Sequence, residues 1–204
     1  MYLRHKLTLL FACAIAFSVL PVSGQFRVIE YGFKGGVPLN HLTQPGNLSD
    51  NSLRFTGGGM LQLNLPFGVA IEGDALFKRP GIKGTIDAFL TSPAVDIDER
   101  FSQWEFPVLA KVYPLGRNPL VQPYGGAGIS FRHTKSAATG TDQSYTDRGF
   151  VLSAGIRNGV GKIKISPELR YTRWFSTAPL MIGSRGYFAE TGENQVELLV
   201  GISF

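Results

Sequence analysis

The chain has 204 residues, a formal net charge of +5 and 44% hydrophobic residues. Its basic residues are spread along the sequence rather than clustered, which argues against a nucleic-acid partner. The single cysteine, Cys13, lies within the first 24 residues, so the remaining 180 residues must fold without disulfides. A chain of this length is expected to form one domain.

Residues 1–24 have the layout of a secretory signal peptide. Basic residues at positions 4–6 precede the uncharged apolar run 7–20, and small residues follow at positions 22–24. The apolar run is too short, and too close to the start, for a membrane-spanning helix. Lipid attachment at Cys13 is the alternative, although Phe11 suits a lipidation motif poorly. We predict a cleaved signal peptide over residues 1–24 and a single domain over residues 25–204.

Eight segments after residue 24 alternate apolar and polar residues with the two-residue period of a β-strand. In the last segment, Val196 and Leu198 share one face and Glu197 lies on the other. No stretch holds 18 consecutive apolar residues, and Gly and Pro interrupt every segment that could form a helix. The eight segments cover about 28–39, 53–65, 69–78, 103–112, 120–132, 150–157, 163–171 and 195–204. The pattern predicts an all-β protein.

The connections between these segments alternate in length. Long connections cover about 40–52, 79–100, 133–147 and 175–194, and short ones cover 66–68, 116–119 and 158–161. The short connections contain the Gly, Asn and Pro residues that reversing turns require. Strands of about ten residues, with turns at one end and long loops at the other, are typical of an up-and-down transmembrane barrel. We therefore predict an eight-stranded antiparallel transmembrane β-barrel.

Aromatic residues are predicted to form a band at each end of the apolar belt, as expected at two membrane interfaces. The band near the long connections would contain Phe77, Phe101, Trp104, Phe131, Phe150, Trp174 and Phe175, and the band near the short ones Phe26, Phe67 and Phe204. A soluble lipocalin-type barrel is the alternative, because the alternation alone does not say which face points inward. The two aromatic bands favour a barrel with lipid outside.

The chain resembles the small eight-stranded outer-membrane barrels, namely the outer-membrane protein A-type transmembrane domain and its porin-like relatives. The resemblance covers residues 25–204 and rests on the eight segments, their connections and the terminal VELLVGISF; WEFPVLAKVYPL and VQPYGGAGISFR also look like the fourth and fifth strands. It implies a monomer in the outer membrane of a Gram-negative cell, with outer-membrane lipid, lipopolysaccharide and the barrel-assembly machinery as partners. It also implies an assembly signal at Val200, Ile202 and Phe204. Because this family has varied functions, the resemblance transfers no activity.

The charged face of the strands is predicted to point into the barrel. Eight strands enclose a space that side chains can just fill, and charges confined there must pair. The two signs are nearly balanced, so we predict a lumen plugged by a charge network rather than an ion pathway. The network would contain Glu30, Lys34, Arg54, Glu72, Asp74, Lys78, Glu105, Lys111, Arg132, Arg157, Lys164, Glu168, Arg170 and Glu197.

A structural or surface-interaction role, with the long extracellular loops as the contact surface, is the predicted function; the extracellular ligand is not identified. A small-solute pore and a rim-active hydrolase are the alternatives. Only His41 and His133 follow the signal segment, and neither has a serine at the spacing of a lipid A deacylase-like site. The acidic residues Asp96, Asp98 and Glu99 could join His133 in a protease-like site, but a solvated acidic loop is the ordinary explanation for them. We predict no enzymatic activity, no cofactor and no metal site.

Overall fold

A computed structural model describes residues 27–40, 43–44, 49–50, 53–86, 95–115, 121–136, 143–160, 163–176, 179–182 and 187–204. Eight long strands dominate it: β1 (Ile29–Pro38), β2 (Leu53–Asn64), β3 (Val69–Arg79), β4 (Ser102–Val112), β5 (Val121–Ser136), β6 (Gln143–Val160), β7 (Ile163–Trp174) and β8 (Asn194–Ser203). The predicted signal segment, Phe26, His41 and the turn 116–119 lie outside the described residues. In the part of the chain that is described, no helix is long and apolar enough to cross a membrane.

Each strand pairs with the next in antiparallel orientation, and β8 pairs with β1 to close the barrel. The closing register places Gly32 opposite Ser203 and Pro38 opposite Glu197. On the far side of the barrel, Glu105 of β4 lies opposite Arg132 of β5. Closure leaves the barrel no free edge at which another chain could pair. The predicted eight-stranded antiparallel up-and-down barrel is confirmed.

The exposed surface of the barrel wall is apolar and the buried face is largely polar. In β8, Glu197 and Leu199 are buried whereas Leu198 and Val200 are exposed. The same alternation exposes large apolar side chains around the whole wall, including Phe33, which is 70% exposed. A soluble barrel has the opposite distribution, with an apolar interior and a polar exterior. The lipocalin-type alternative is therefore wrong.

The turn between β2 and β3 is formed by Pro66–Gly68. Phe67 and Gly68 both adopt positive φ angles, 60° and 74°. Two consecutive left-handed residues give a hairpin turn whose twist matches that of the flanking strands. A Cβ atom on Gly68 would lie 2.7 Å from the carbonyl oxygen of Tyr113, so this position requires glycine for space as well as for its backbone conformation.

The third long connection is much shorter than the sequence indicates. Residues 133–147 were predicted as a loop, but β5 continues to Ser136 and β6 already begins at Gln143, with Ser136 opposite Gln143. The hairpin therefore extends well beyond the apolar belt. Polar residues occupy both faces of this extension, so the apolar–polar alternation that reveals a strand at membrane depth is missing there.

Two small three-stranded sheets form in the other long connections. Thr43–Gln44 pairs with Tyr187–Thr191, which pairs with Pro179–Ile182. Ser49–Asp50 pairs with Gly81–Ile86, which pairs with Val95–Arg100. The first long connection is thus hydrogen-bonded to the fourth through one sheet and to the second through the other.

The aromatic band near the long connections differs from the prediction at two positions. Trp104, Phe131 and Phe150 are exposed on the outer wall. Phe101 and Trp174, in contrast, are only 1% and 2% exposed and point inward. Trp174 shares the parity of the buried residues on β7, and Phe101, which directly precedes β4, shares the parity of the buried Gln103. Backbone alternation therefore outweighs the preference of aromatic rings for the membrane interface.

Candidate functional site: the polar interior of the barrel

The centre of the interior contains three cations and three carboxylates, which we call the middle tier. Its members are Lys34, Lys111 and Arg170 together with Glu72, Asp74 and Glu168. Two-residue alternation brings every one of these side chains inward, and all six are buried. Equal numbers of the two signs leave the middle tier with no formal net charge.

Ion pairs of the middle tier cross the full width of the lumen. Arg170 Nη2 of β7 lies 2.7 Å from Asp74 Oδ2 of β3. These two strands are four positions apart in an eight-stranded barrel and therefore face each other. Lys34 Nζ of β1 reaches β3 as well, at 2.6 Å from Glu72 Oε1. The side chains thus bridge the lumen directly at this level.

Glu168 is the most connected carboxylate of the middle tier. Its Oε1 lies 2.6 Å from Arg170 Nη2, and its Oε2 lies 2.7 Å from Lys111 Nζ. Tyr124 donates a hydrogen bond of 2.8 Å to Oε2, and the Lys34 ammonium lies 3.5 Å from the same oxygen. A buried carboxylate is tolerated only when its desolvation is offset by such partners.

An upper tier lies toward the long connections and is organised around Lys78. Its ammonium lies 2.6 Å from Glu105 Oε2 and 2.7 Å from Glu197 Oε1. Gln195 Nε2 donates to Glu105 at 3.2 Å and to Glu197 at 2.9 Å, while the Thr56 hydroxyl donates to Glu197 at 2.8 Å. Because β8 and β4 face each other, the Gln195–Glu105 bond crosses the lumen a second time.

Arg132 and Asp147 form a separate pair at the top of the interior. Arg132 Nη2 lies 2.7 Å from Asp147 Oδ2, and the guanidinium stacks over the Trp174 ring with its Cζ 4.2 Å from the ring centroid. The Ser176 hydroxyl donates to Asp147 Oδ1 at 2.7 Å. Stacking and ion pairing together fix the planar guanidinium more firmly than either would alone.

A lower tier near the short turns is organised around Glu30. Its carboxylate pairs with Arg157 and with Lys164, and Asn64 Nδ2 donates to it at 2.7 Å. The Arg157 guanidinium also lies 5.5 Å from the ring centroid of Tyr113. Lys164 is the most exposed member, at 31% of its side chain, which places it at the mouth of the barrel.

Thirteen of the fourteen charges named from the sequence are thus buried or partly buried in these tiers. Arg54 belongs to β2, near a register shift between Leu53 and Thr56, and its side chain lies outside the described residues. Sequence reasoning missed Asp147, because it lies at the end of a segment that was assigned to a loop. Its parity matches that of Ser153 and Val151 on β6, so extending the alternation by a few residues would have found it.

The catalytic candidates lie away from this interior. His133 is on the outer side of β5, and its Nδ1 lies 2.9 Å from the Thr146 hydroxyl oxygen. Asp96, Asp98 and Glu99 belong to the strand Val95–Arg100, but their side chains lie outside the described residues. Among the residues that are described, no three His, Cys, Asp or Glu side chains are grouped so that they could hold a metal ion.

The residues of the predicted assembly signal lie on the outer face of β8 and just after it. Val200 and Ile202 are both 43% exposed. The Phe204 amide donates to the Tyr31 carbonyl oxygen at 2.9 Å, and the two rings lie 6.4 Å apart. Phe204 therefore extends the pairing that closes the barrel between β8 and β1.

Comparison with solved structures finds small outer-membrane barrels. Neisserial surface protein A superimposes with a TM-score of 0.55 at 13% identity, covering 86% of this chain and 94% of that one. The N-terminal β-barrel domain of Pseudomonas aeruginosa OprF gives a TM-score of 0.46 at 10% identity, covering 87% and 98%. Ail, the attachment invasion locus protein of Yersinia pestis, gives 0.41 at 14% identity, covering 86% and 96%. Only the first match has a TM-score above 0.5. At 13% identity it shows similarity of fold alone.

A family model described as the outer membrane protein beta-barrel domain matches residues 9–196. A search of curated protein sequences finds no match. The family match spans most of the chain and agrees with a closed barrel whose apolar residues face outward. The chain belongs to the outer membrane protein β-barrel family, and its location is the outer membrane of the Gram-negative cell envelope.

Proposed function

We propose that the protein is a plugged outer-membrane barrel with a structural or surface-interaction role, whose long connections form an extracellular contact surface. The observation that carries the plugged lumen is the bridging of opposite strands by Arg170 and Asp74, 2.7 Å apart. A second bridge between Gln195 and Glu105 lies closer to the long connections. A solute moving along the barrel axis would have to displace both.

The energetics support a closed lumen. Removing one partner from a buried ion pair typically costs about 3–5 kcal/mol. Side chains of the middle tier share partners, so displacing Glu168 would disturb its contacts with Arg170, Lys111 and Lys34 together. A permeant ion would have to separate these ion pairs before it could form any contact of its own. The balance of charge also gives the interior no preference for ions of one sign.

Conductance separates the plugged barrel from a small-solute pore. The unmutated protein in planar bilayers should show no large steady current, and liposomes containing it should swell only slightly in sugar solutions. The double variant Arg170→Ala with Asp74→Ala removes the bridge at the centre and should raise both signals. A large steady conductance of the unmutated protein, equal to that of the double variant, would establish the pore instead.

The paired strands of the long connections support a contact surface at that end of the barrel. Hydrogen bonds join the first connection to the second and fourth, so parts of three connections form two sheets rather than independent loops. Binding surfaces are commonly built on connections held by a rigid scaffold. An epitope tag inserted within residues 87–94 should be labelled on intact cells, whereas one within 116–119 should need permeabilised membranes. The reverse result would overturn the proposed orientation.

The contact role itself requires a separate measurement. Cells that express the unmutated protein should be compared, for adhesion to surfaces and to each other, with cells that express a variant whose residues 87–94 are replaced by Gly and Ser. Equal amounts of folded protein in the outer membrane provide the control. The same replacement should also be made in residues 137–142. If adhesion is unchanged in both variants, the contact role is excluded and the structural role is the function.

The same proposal includes the absence of enzymatic activity. His133 Nδ1 is engaged with the hydroxyl of Thr146, a neighbour that neither activates a nucleophile nor orients an imidazole as a carboxylate would. Purified protein should hydrolyse neither labelled lipid nor labelled peptide above background. Hydrolysis that disappears in His133→Ala would establish the rim-active hydrolase.

A further inference from the structure

Several large apolar side chains point into the otherwise polar lumen. The interior of a transmembrane barrel is typically polar, so apolar side chains on the inner face are unexpected. Four of them are completely buried, and they come from strands on different sides of the barrel. They are Leu76 of β3, Leu109 of β4, Val151 of β6 and Leu199 of β8. The ion-pair tiers do not account for these residues.

These side chains lie between the middle tier and the upper tier. On the inner face of β3, Leu76 is flanked by Asp74 of the middle tier and Lys78 of the upper tier. On β8, Leu199 is one inward position from Glu197 of the upper tier, on the side of the short turns. The apolar residue thus lies just below the upper tier on both strands.

The same order holds on β4, which contributes two apolar residues. Pro107 and Leu109 are both buried and occupy the inward positions between Glu105 of the upper tier and Lys111 of the middle tier. Among the side chains that the structure describes, no ion pair or hydrogen bond joins a member of the middle tier to a member of the upper tier. An apolar layer therefore separates the two networks.

Each leucine of this layer faces a glycine on a neighbouring strand. The cross-strand pairs are Leu76 with Gly58, Leu109 with Gly128 and Leu199 with Gly36. A Cβ atom on Gly36 would lie 2.8 Å from Leu199 Cδ2, so the leucine occupies the space that a side chain of β1 would need. Val151 lies opposite Gly128 from the other side. Pairing large with small residues lets apolar side chains fill a barrel this narrow.

β7 contributes the aliphatic stem of Arg170 to the same region. Arg170 is one inward position above Glu168, toward the long connections, and its Nη2 turns back to within 2.6 Å of Glu168 Oε1. The side chain is buried, so its stem packs inside the barrel while its charge lies in the middle tier. The stem therefore lies on the upper side of the guanidinium, toward the apolar layer.

Hydrogen-bonded polar groups reach this layer from the short-turn mouth. Arg157 pairs with Glu30 and donates to the Tyr113 hydroxyl at 3.3 Å. The Tyr113 ring lies 5.4 Å from that of Tyr124, which donates to Glu168 of the middle tier. Bridged ion pairs obstruct a solute, but chains of ionisable groups inside membrane proteins can pass protons. The ionic tiers alone are therefore not a barrier to protons.

An apolar layer interrupts such a chain because it excludes water. Buried cavities lined by leucine and other apolar side chains remain dry even when they have room for a water molecule. Apolar constrictions in channels block ions in the same way, by excluding water from the path. A hydrated proton entering the layer would lose its hydrogen bonds and gain none, which is strongly unfavourable.

We propose that this layer is an apolar septum that blocks the passage of protons and water through the lumen, between the middle and upper tiers. The septum consists of Leu76, Pro107, Leu109, Val151 and Leu199. The proposal rests on the closed lumen of the proposed function and identifies the element that makes it impermeable to the smallest ion. The polarity of the septum, rather than its bulk, is the property that blocks protons.

Proton flux into liposomes measures this barrier. The barrel is reconstituted around a trapped pH-sensitive dye, and the rate of internal acidification is followed after an external pH step, with valinomycin and potassium present to compensate charge. Leu76→Asn with Leu199→Asn makes the septum polar at nearly unchanged size and leaves every ion pair in place. Excluding a polar group from an apolar layer lowers its occupancy by more than a factor of about ten, so the rate should rise at least about tenfold.

Val151→Thr is a milder variant with the same shape, because it replaces one methyl group by a hydroxyl. It should raise the proton flux in the same direction but by less than the double asparagine variant. It also provides the test if the double variant does not fold. The heat-dependent shift in gel mobility reports folding for each variant.

Two matched controls separate polarity from size and from the ion-pair bridge. Leu76→Ala with Leu199→Ala enlarges the space but keeps it apolar, so the proton flux should stay at the level of the unmutated protein. Arg170→Met with Asp74→Asn removes the bridge across the middle tier, but it keeps the buried stem and leaves equal numbers of cations and carboxylates there. The proton flux should again stay low.

The outcomes distinguish the septum from the plugged lumen itself. Equal flux in the alanine and asparagine variants, or a tenfold rise in Arg170→Met with Asp74→Asn, would overturn the septum and leave the lumen plugged by bulk or by the bridge. Unchanged flux in both the asparagine variant and Val151→Thr would overturn it as well. Rapid proton flux together with sugar-driven swelling in the unmutated protein would contradict the proposed function and the septum together.

Discussion

The interior of the barrel and its lipid-facing wall meet at neighbouring residues of every strand, as Glu168 and Leu169 of β7 illustrate. Glu168 contacts two lysines, an arginine and a tyrosine at defined distances. Leu169 is 50% exposed on the outer wall and needs only an apolar surrounding. The stability of the interior thus depends on particular partner residues, whereas the outer wall requires only the apolar surrounding that lipid provides. This difference predicts how the two regions respond to substitution.

The largest effect is expected for Glu168→Gln. The change keeps the shape of the side chain but leaves three cations of the middle tier with two carboxylates. We expect a loss of about 3–5 kcal/mol in the free energy of unfolding. Urea-induced unfolding in lipid vesicles measures it, and Glu193→Gln at the exposed rim is the control, with an expected change within about 0.5 kcal/mol. Similar values for the two variants would show that the middle tier contributes no specific stability.

A charge placed on the outer wall, at the same height as Glu168, should lower the free energy of unfolding slightly less than Glu168→Gln does. Leu169 lies between Glu168 and Arg170 in sequence, and therefore at the level of the middle tier. Leu169→Arg should lower the free energy of unfolding by about 2–4 kcal/mol, the cost of a basic residue near the bilayer midplane. Leu169→Ile, which keeps the volume, should cost less than about 1.5 kcal/mol. A mild effect of Leu169→Arg would contradict a lipid environment at this position.

The energetic coupling between Arg132 and Asp147, at the top of the interior, should be smaller than the two preceding effects but measurable. In a double-mutant cycle, Arg132→Met and Asp147→Leu should each destabilise the barrel, and together they should cost less than the sum. Contacting residues typically couple by about 0.5–3 kcal/mol. Combining Arg132→Met with Glu193→Gln provides the additive reference, because no contact joins these two residues. Additivity in the first cycle would mean that the 2.7 Å pair makes no energetic contribution.

The smallest thermodynamic effect is expected for Phe204→Ala. This change removes a ring 6.4 Å from Tyr31, and such aromatic pairs contribute about 0.5–1.5 kcal/mol. The yield of folded barrel in the outer membrane should fall more than stability does, because the resemblance implies an assembly signal at this residue. Gly201→Ala is the control, since its Cβ would lie at an ordinary 3.4 Å from Met60 Sδ. Equal yields for the two variants would remove the case for that signal.

Several features of this barrel could be predicted without coordinates because they depend on local alternation. Side chains two residues apart share a face, so the inward direction of Glu72, Asp74 and Lys78 follows once one of them is assigned to the lumen. Phe101 and Trp174 were misplaced because the prediction grouped them by their height in the barrel and did not apply this alternation. Their parity places them inward, with Gln103 and Thr172.

The extent of the strands beyond the membrane could not be read in this way. Beyond the apolar belt both faces of the β5–β6 hairpin meet polar surroundings, so the sequence there has no period that distinguishes a strand from a loop. Backbone pairing nevertheless continues to Ser136 and Gln143. The same reasoning explains why Asp147 was assigned to a loop although it pairs with Arg132.

The sequence by itself determined the number of barrel strands and which residues share a face, because both depend on a period of two residues. The aromatic bands, rather than the period, indicated that the charged face points into the barrel. Only the tertiary structure decided which charges meet. Arg170 and Asp74 are 96 residues apart in the chain and contact each other because the strands are staggered and closed into a ring. Stagger and closure are properties of the whole sheet, so no local pattern contains the identity of the partner across the lumen.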